Sequence, residues 1–150
     1  MKDQETLELI RARYDAVNSQ DWETFEGFYA DSIVWDDPGL PEPITGPRSV
    51  RKRLERLSEA FPDLQWKLER IFGDGDRVCA EFTFTGTHKG ELQAGERERL
   101  PASNVSIRIQ ACGVYVVRGG KIVDSKLYFD FGALKSQIQK SGPHKDKAMP

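Results

Sequence analysis

The spacing of apolar residues changes at Pro62, and this change constrains the fold more than any other feature. Before Pro62, apolar side chains recur every three or four residues, as along one face of a helix. After it, apolar and polar residues alternate, as along a strand with one buried face. The helical stripes are Leu7, Ile10, Tyr14 and Val17, then Val50, Leu54, Leu57 and Phe61; the alternating runs are Leu64, Trp66 and Leu68, then Val78, Ala80, Phe82 and Phe84. Helices followed by a run of strands predict an α+β domain.

Capping and turn residues divide the chain into elements. Asp21 is a good N-cap for a second helix, and Pro47 suits the first turn of a third. Glycine-rich turns at 73–76 and 119–120 predict antiparallel hairpins. We therefore expect three N-terminal helices, a charged loop at 91–99, a long strand within 105–117, a last strand at 122–131 and a short helix at 132–140. A twisted sheet that curls over the helices leaves a cone with an apolar interior, which is a natural pocket.

The length and charge of the chain limit its class. At 150 residues it has room for one ordinary domain, which we place at 1–140 with a flexible tail at 141–150. A formal net charge of −2 gives no electrostatic reason to expect nucleic acid as a partner. No stretch approaches the ~20 apolar residues of a membrane helix, and the charged N-terminus lacks a signal core. We therefore expect a cytoplasmic protein with no membrane partner.

Cys79 and Cys112 are the two cysteines, and each lies in an apolar, strand-like stretch. Structural disulfides are rare in the cytosol, so the sequence predicts two buried free thiols. Two cysteines without clustered histidines do not make a structural zinc site, and we assign no metal ligands.

Motifs along residues 5–140 resemble the SnoaL-like polyketide cyclases, a branch of the NTF2-like (ketosteroid isomerase-like) superfamily. The resemblance implies a cone-shaped fold in which a curved, mostly antiparallel sheet wraps around the helices. It also implies a homodimer formed through the outer face of the sheet, and polyketide ring closure by intramolecular aldol condensation without a metal or organic cofactor. The motifs are Phe28-Tyr29-Ala30-Asp31-Ser32-Ile33-Val34-Trp35, Asp37-Pro38-Gly39, Ala60-Phe61-Pro62-Asp63-Leu64, Gly75-Asp76-Arg77-Val78, Thr85-Gly86-Thr87-His88-Lys89-Gly90-Glu91 and Gly119-Gly120-Lys121-Ile122-Val123.

The same resemblance implies roles for four polar residues. Asp130, near the end of the last predicted strand, matches the general acid/base of the cyclases. His88 matches a pocket histidine, and Asp36 and Asp37 match an acidic pair after the first strand. The chain departs from many relatives at Lys126 and Leu127, where an aromatic residue followed by an acid is usual, and this departure bears on the substrate rather than on the fold.

Strand alternation independently supports an inward position for His88. Continuing the apolar series from Phe82 and Phe84 leads to Gly86 and then His88, on the same face. A neutral imidazole there can donate a hydrogen bond to a carbonyl or carry a proton. The alternative is a structural histidine at a strand end, bonded to the backbone.

Alternation alone leaves two positions open for Asp130. Strict alternation with Leu127 and Phe129 sends Asp130 to the outer face, toward solvent or a partner. If the aromatic residues beside it mean that both faces are covered, Asp130 points into the pocket, and desolvation raises its pKa. Of the earlier acids, we expect Asp37 to cap the Pro-Gly turn and Asp36 to face the pocket mouth.

Seven aromatic residues are candidates for a substrate pocket that takes a flat ring system. Each is also a normal core residue, but the tyrosine hydroxyls need partners when buried and are the better pocket donors. The candidates are Tyr14, Trp35, Trp66, Phe82, Phe84, Tyr115 and Tyr128.

These features support three functional hypotheses. The first is a cofactor-independent enzyme that acts on a small, hydrophobic, carbonyl-containing substrate by aldol cyclisation, with Asp130 as acid/base and His88 as carbonyl donor. The second is an isomerase or dehydratase of a cyclic ketone or alcohol that uses the same pair. The third is a non-catalytic, dimeric module that binds a small molecule.

Overall fold

A computed structural model describes residues 2–94 and 97–140, with four helices among them. The predicted tail at 141–150 lies outside these residues. The helices are α1 (Lys2–Ser19), α2 (Trp22–Gly27), α3 (Pro47–Ala60) and α4 (Phe131–Lys140). The three N-terminal helices lie where the apolar spacing predicted them.

Local chemistry fixes the starts of α2 and α3 where the sequence predicted. The Asp21 carboxylate accepts hydrogen bonds from the Thr24 amide at 3.2 Å and the Thr24 hydroxyl at 2.7 Å. Gly46 has a φ of 90°, a backbone conformation that favours glycine, and it directs the chain into Pro47 at the first turn of α3.

Six strands form one curved sheet in the order β2-β1-β8-β7-β4-β3. Only the β1–β8 pair is parallel among the described pairs of this sheet, so the sheet is mostly antiparallel, as the resemblance implied. The strands are β1 (Tyr29–Asp36), β2 (Ile44–Thr45), β3 (Gln65–Asp74), β4 (Arg77–Thr87), β7 (Ser106–Arg118) and β8 (Lys121–Tyr128), and a separate two-stranded sheet contains β5 (Leu92–Ala94) and β6 (Glu98–Leu100). The predicted α+β class and the mostly antiparallel sheet are confirmed.

The concave face of the sheet and the helices share one apolar core. Along β4, the inward positions Val78, Ala80, Phe82 and Phe84 are buried, as strand alternation requires. Asn18 attaches α1 to β3, because its side-chain amide donates to the carbonyl of Trp66 at 3.0 Å and accepts from its amide at 2.7 Å.

Two segments differ from the sequence prediction. The last strand ends at Tyr128 rather than residue 131, because Asp130 terminates it by capping α4. The predicted loop at 91–99 instead contributes β5 and β6, which pair in an antiparallel hairpin. Three apolar side chains bury this hairpin against the core despite its charged residues: Leu92, Ala94 and Leu100.

The two thiols are free, as predicted, but they are half-buried on the outer face rather than in the core. Their sulfur atoms lie 3.2 Å apart on the neighbouring strands β4 and β7. Burial, and then the hydrogen bond to Cys79, raises the pKa of Cys112 to about 12. Within the described residues, no helix has the length and apolarity needed to cross a membrane.

Candidate active site

An apolar cavity of about 30 Å³ lies between the concave face of the sheet and helices α3 and α4. That volume is enough for water but well below the ~300–1,000 Å³ of a small-molecule site. Its lining is apolar except for Asp37, Arg53 and Gln93. The apolar lining residues are Trp35, Leu54, Leu57, Trp66, Phe82, Phe84, Leu92, Ala111, Leu127, Phe129, Phe131 and Leu134.

An open cleft of about 650 Å³ adjoins this cavity, and its volume is of substrate size. The cleft and the cavity share four lining residues: Arg53, Leu57, Leu92 and Gln93. Arg53 and the two leucines therefore lie between the cleft and the cavity. The cavity and the cleft together form the candidate site.

An ion pair between Asp37 and Arg53 stands where the cleft meets the cavity. The guanidinium binds the carboxylate with both ends, from Nε to Oδ2 at 3.0 Å and from Nη2 to Oδ1 at 2.7 Å. Asp37 also accepts from the indole Nε1 of Trp35 at 2.7 Å and the amide of Gly39 at 2.8 Å. The Asp37 side chain is 2% exposed and that of Arg53 is 21% exposed, so solvent reaches the cation but not the carboxylate.

Local sequence explains how the pair is built. Arg53 lies on the face of α3 that carries Val50 and Leu57, three residues before it and four after. Gly39 leaves room for the guanidinium, since a Cβ atom there would lie 2.6 Å from Arg53 Nη2. The turn after β1 therefore places Asp37 against α3, and Gly39 in the same turn leaves space for the guanidinium of Arg53.

The arrangement provides a fixed cation with spare donors. A guanidinium has five N–H groups, and the Asp37 carboxylate uses one on Nε and one on Nη2, so the others can bind a ligand oxygen. Both Asp37 oxygens accept two hydrogen bonds each, which fixes the carboxylate and through it the cation. Such a preorganised donor in an apolar setting suits an oxyanion.

Behind the aromatic floor of the cavity lies a second, fully buried cation, Arg13. Its Nε donates to the hydroxyl of Tyr29 at 2.8 Å, while Nη1 and Nη2 have no hydrogen-bond partner. Five aromatic rings surround the guanidinium at 4.7–5.4 Å from their centroids: Tyr14, Phe25, Trp35, Trp66 and Tyr115. Cation–π attraction thus replaces a carboxylate partner.

The tyrosines around Arg13 remain neutral phenols. Burial raises the pKa values of Tyr14, Tyr29 and Tyr115, although Arg13 opposes the rise. The hydroxyl groups of Tyr14 and Tyr115 share a hydrogen bond of 2.7 Å. The cluster therefore keeps the positive charge of Arg13 close to the cavity floor formed by Trp35 and Trp66.

His88 is buried just beyond the end of β4, as its position in the alternation predicted. Its Nδ1 shares a hydrogen bond of 2.9 Å with the Ser103 hydroxyl. Its Nε2 is buried and forms no hydrogen bond with the described residues. Burial lowers the pKa of His88, while the backbone of Leu100 and Gly90 opposes the shift. The ring packs on Phe61 and does not line the cavity.

Asp130 is exposed, so the structure favours the solvent-facing alternative over the pocket. Its Oδ1 accepts a hydrogen bond from the Ala133 amide at 2.9 Å, which makes it the N-cap of α4. Among the described residues, no hydrogen bond joins Asp130 to His88, and neither lines the cavity. Their catalytic roles stay predictions that this geometry does not favour.

The structure divides the predicted pocket residues into three groups. Trp35, Trp66, Phe82 and Phe84 line the cavity, and Tyr14 and Tyr115 lie behind them in the Arg13 cluster. Tyr128 does not line the cavity, since its side chain is 50% exposed on the outer face of β8. Asp36 does not line the cavity either, whereas the next residue, Asp37, does. Pocket roles for Tyr128 and Asp36 stay predictions that this geometry does not favour.

Comparison with known proteins identifies the family. The family model of SnoaL-like polyketide cyclases matches residues 8–138. The chain belongs to this family. No curated protein gives a significant sequence match.

Solved structures share the fold of this SnoaL-like protein. A provisionally assigned SnoaL-like polyketide cyclase from Jannaschia sp. CCS1 is 17% identical, with a TM-score of 0.83 over 94% of this chain and 95% of that chain. IdmH of Streptomyces antibioticus, a provisionally assigned polyketide cyclase, is 22% identical, with a TM-score of 0.75 over 89% and 98%. An LEH-like epoxide hydrolase from M. tuberculosis is 21% identical, with a TM-score of 0.71 over 93% of each chain. At these identities the likeness establishes the fold alone.

Two charged residues of the SnoaL-like site were not singled out by sequence reasoning, although a signal was present. Arg53 shares the helical face of Val50 and Leu57, and Arg13 follows Ile10 by three residues on the apolar face of α1. A cation within an apolar stripe is the pattern that marks both. Within the described residues, no three His, Cys, Asp or Glu side chains are grouped in a way that could hold a metal ion.

Proposed function

We propose that this SnoaL-like protein is a cofactor-independent enzyme that forms and stabilises an enolate from a small, apolar carbonyl compound. The observation that carries the proposal is the Asp37–Arg53 pair at the junction of an apolar cavity and a substrate-sized cleft. Among the described residues of the cavity lining, Asp37 is the only carboxylate, and Arg53 is the only cation.

The steps follow from these two groups. Arg53 shifts one N–H from Asp37 to the carbonyl oxygen of the substrate, and the carboxylate lone pair that this shift frees takes a proton from the adjacent carbon. The resulting enolate carbon attacks a second carbonyl of the same molecule and forms the ring C–C bond. The new alkoxide then takes the proton back from Asp37, so the cyclic product is an isomer of the substrate and no electrons are transferred.

The surroundings support charge development at this point. The cavity lining is mostly apolar, and a low local dielectric strengthens electrostatic interactions with an enolate oxygen. Arg13 adds a second positive charge behind the Trp35 and Trp66 rings, and it has no carboxylate partner that would cancel its field. Both cations favour the anionic intermediate over the neutral substrate.

The proposal is tested by enolisation itself, which needs no knowledge of the natural substrate. The probe is 2-tetralone, an apolar ketone, and hydrogen–deuterium exchange at its α-carbon is followed by proton NMR in D2O. We expect the wild type to accelerate exchange, and Asp37→Asn and Arg53→Met to lower this acceleration at least tenfold. Asp36→Asn is the matched control, because the neighbouring Asp36 lies outside the cavity lining. Equal loss in the control, or full activity in Asp37→Asn, would overturn the proposal.

A second candidate function is non-catalytic binding of an apolar small molecule. It is favoured by the four hydrogen bonds that already occupy the Asp37 carboxylate and by the otherwise apolar lining. A protein of this kind would bind 2-tetralone without accelerating exchange, so the same experiment separates the two functions.

We also propose that the protein forms a homodimer through the outer face of the sheet. Two large apolar side chains support it, since Phe72 and Tyr128 are 53% and 50% exposed. Phe72 pairs with Cys79 and Tyr128 pairs with Cys112, and the two sulfur atoms lie 3.2 Å apart, so the four residues form one diagonal patch across β3, β4, β7 and β8. Light scattering after size-exclusion chromatography is expected to give twice the 17.0 kDa chain mass for the wild type. Tyr128→Glu is expected to give monomers. A monomeric wild type would refute the proposed dimer. Residence in the cytoplasm stays a prediction.

A further inference from the structure

We propose that the cleft binds an anionic group of the substrate, a carboxylate or a phosphate, and that Lys52 and Arg56 are the residues that hold it. The proposal rests on the proposed function, because it describes the polar end of the same molecule whose carbonyl meets Arg53. It assigns the substrate to a chemical class, namely amphipathic anions with an apolar, carbonyl-bearing body.

The first observation is that one face of α3 forms a basic wall of the cleft. Ser49, Lys52, Arg53 and Arg56 all line it, at spacings of three, one and three residues. Members of this set that are three or four residues apart, such as Ser49 and Arg53 or Lys52 and Arg56, lie on the same side of the helix. Lys52 and Arg56 therefore flank Arg53 on the cleft side, one before it and one a turn after it.

The second observation is that these two cations have no partner of their own. Arg53 is paired with Asp37, and Arg99 of the opposite wall is paired with Glu91 at 3.3 Å. By contrast, no ion pair or side-chain hydrogen bond with another described residue involves Lys52 or Arg56.

A further acidic residue of the cleft, Glu59, follows Arg56 by three residues and lies at the end of α3 away from Lys52. It belongs to the last turn of α3, where its backbone closely approaches Gly90. Lys52 also lines the cleft and lies two turns earlier on α3. The lining is therefore polarised, and an anion is favoured at the end that holds Lys52.

The third observation is that the basic wall adjoins an apolar one. Leu57 and Leu92 line both the cleft and the cavity, and Arg53 lies between the two spaces. A ligand that spans them would place its anionic group on Lys52 and Arg56 and its apolar body toward the leucines. Oxyanions such as carboxylate and phosphate suit this wall because both side chains are hydrogen-bond donors without acceptors.

Two fluorescent probes that differ in one charged group test the proposal. 8-Anilinonaphthalene-1-sulfonate carries a sulfonate, and N-phenyl-1-naphthylamine has the same rings without it. We expect the wild type to bind the sulfonate about tenfold more tightly at low salt, since each exposed charge contributes about a two- to fivefold change in affinity. The difference should shrink as salt is added.

The variants Lys52→Gln and Arg56→Gln are each expected to weaken binding of the sulfonate two- to fivefold, and the double variant about tenfold. Binding of the neutral probe should stay unchanged in all three. Arg48→Gln is the matched control, because Arg48 is an exposed arginine of α3 that does not line the cleft. Equal weakening by the control, or no preference of the wild type for the sulfonate, would overturn the proposal.

The neutral probe separates this proposal from the proposed function. If N-phenyl-1-naphthylamine does not bind, the proposed apolar site is refuted. If it binds and the sulfonate probe binds no more tightly, only the proposed anion site is refuted. Displacement of the sulfonate probe by octanoate or by octyl phosphate, with octan-1-ol as the neutral control, then distinguishes a carboxylate from a phosphate ligand. Displacement by octan-1-ol as strong as by both anions would also refute the anion site.

Discussion

Replacing Asp37 by asparagine removes the anionic half of the ion pair and keeps the shape of the side chain. Asp37 accepts four hydrogen bonds, two of them from Arg53, and only 2% of its side chain is exposed. The asparagine NH₂ group can accept none of these bonds, so it places a donor against the donors of Arg53 or Trp35.

The burial of the ion pair determines how much free energy of unfolding this substitution should cost. Removing one member of a buried ion pair costs about 3–5 kcal/mol, because the other charge is left uncompensated. Arg53 is 21% exposed, so water partly replaces the carboxylate and the loss falls at the low end of that range. We therefore expect Asp37→Asn to lower the free energy of unfolding by about 3 kcal/mol, which corresponds to about 6–12 °C in Tm for a chain of this size.

The assay is urea unfolding at pH 7, followed by tryptophan fluorescence and circular dichroism, with Asp36→Asn as the control. Asp36 makes no side-chain hydrogen bond or ion pair with another described residue, so its variant should change stability by less than about 0.5 kcal/mol. A second test adds Arg53→Met, and the double variant should lose less than the sum of the two single losses. A loss below about 1 kcal/mol in Asp37→Asn, or additive losses, would refute the reasoning.

Three further predictions concern groups outside the ion pair. Burial holds the pKa of His88 below 6.5 in the folded protein. As pH drops below about 6.5, the histidine is therefore protonated in the unfolded chain before it is in the folded one, and the free energy of unfolding should fall. Urea unfolding curves of His88→Gln should lack that part of the pH dependence. Asp130→Ala should lose about 0.5–2 kcal/mol through the lost N-cap, while Asp130→Asn, which also caps, should keep both stability and 2-tetralone exchange. Iodoacetamide should modify Cys112 slowly at pH 8, because a pKa of about 12 leaves little thiolate, and rapid modification measured by mass spectrometry would contradict this.

The sequence alone determined the architecture. The spacing of Leu7, Ile10, Tyr14 and Val17 reports which side of a helix is buried, and the alternation from Val78 to Phe84 reports which side of a strand is. These patterns follow from local backbone geometry, so they can be identified in the sequence without knowing which elements cover each buried face. The same alternation correctly predicted that the side chain of His88 is buried.

Only the tertiary structure decided which polar residues meet. Asp37 and Arg53 are sixteen residues apart on different elements, and no periodicity relates a turn after β1 to one face of α3. The sequence left the position of Asp130 open for a related reason: alternation cannot show where a strand ends, and Asp130 ends β8 by capping α4. Periodicity identifies the face of each element, whereas chemistry at a site depends on distances between elements, which packing sets.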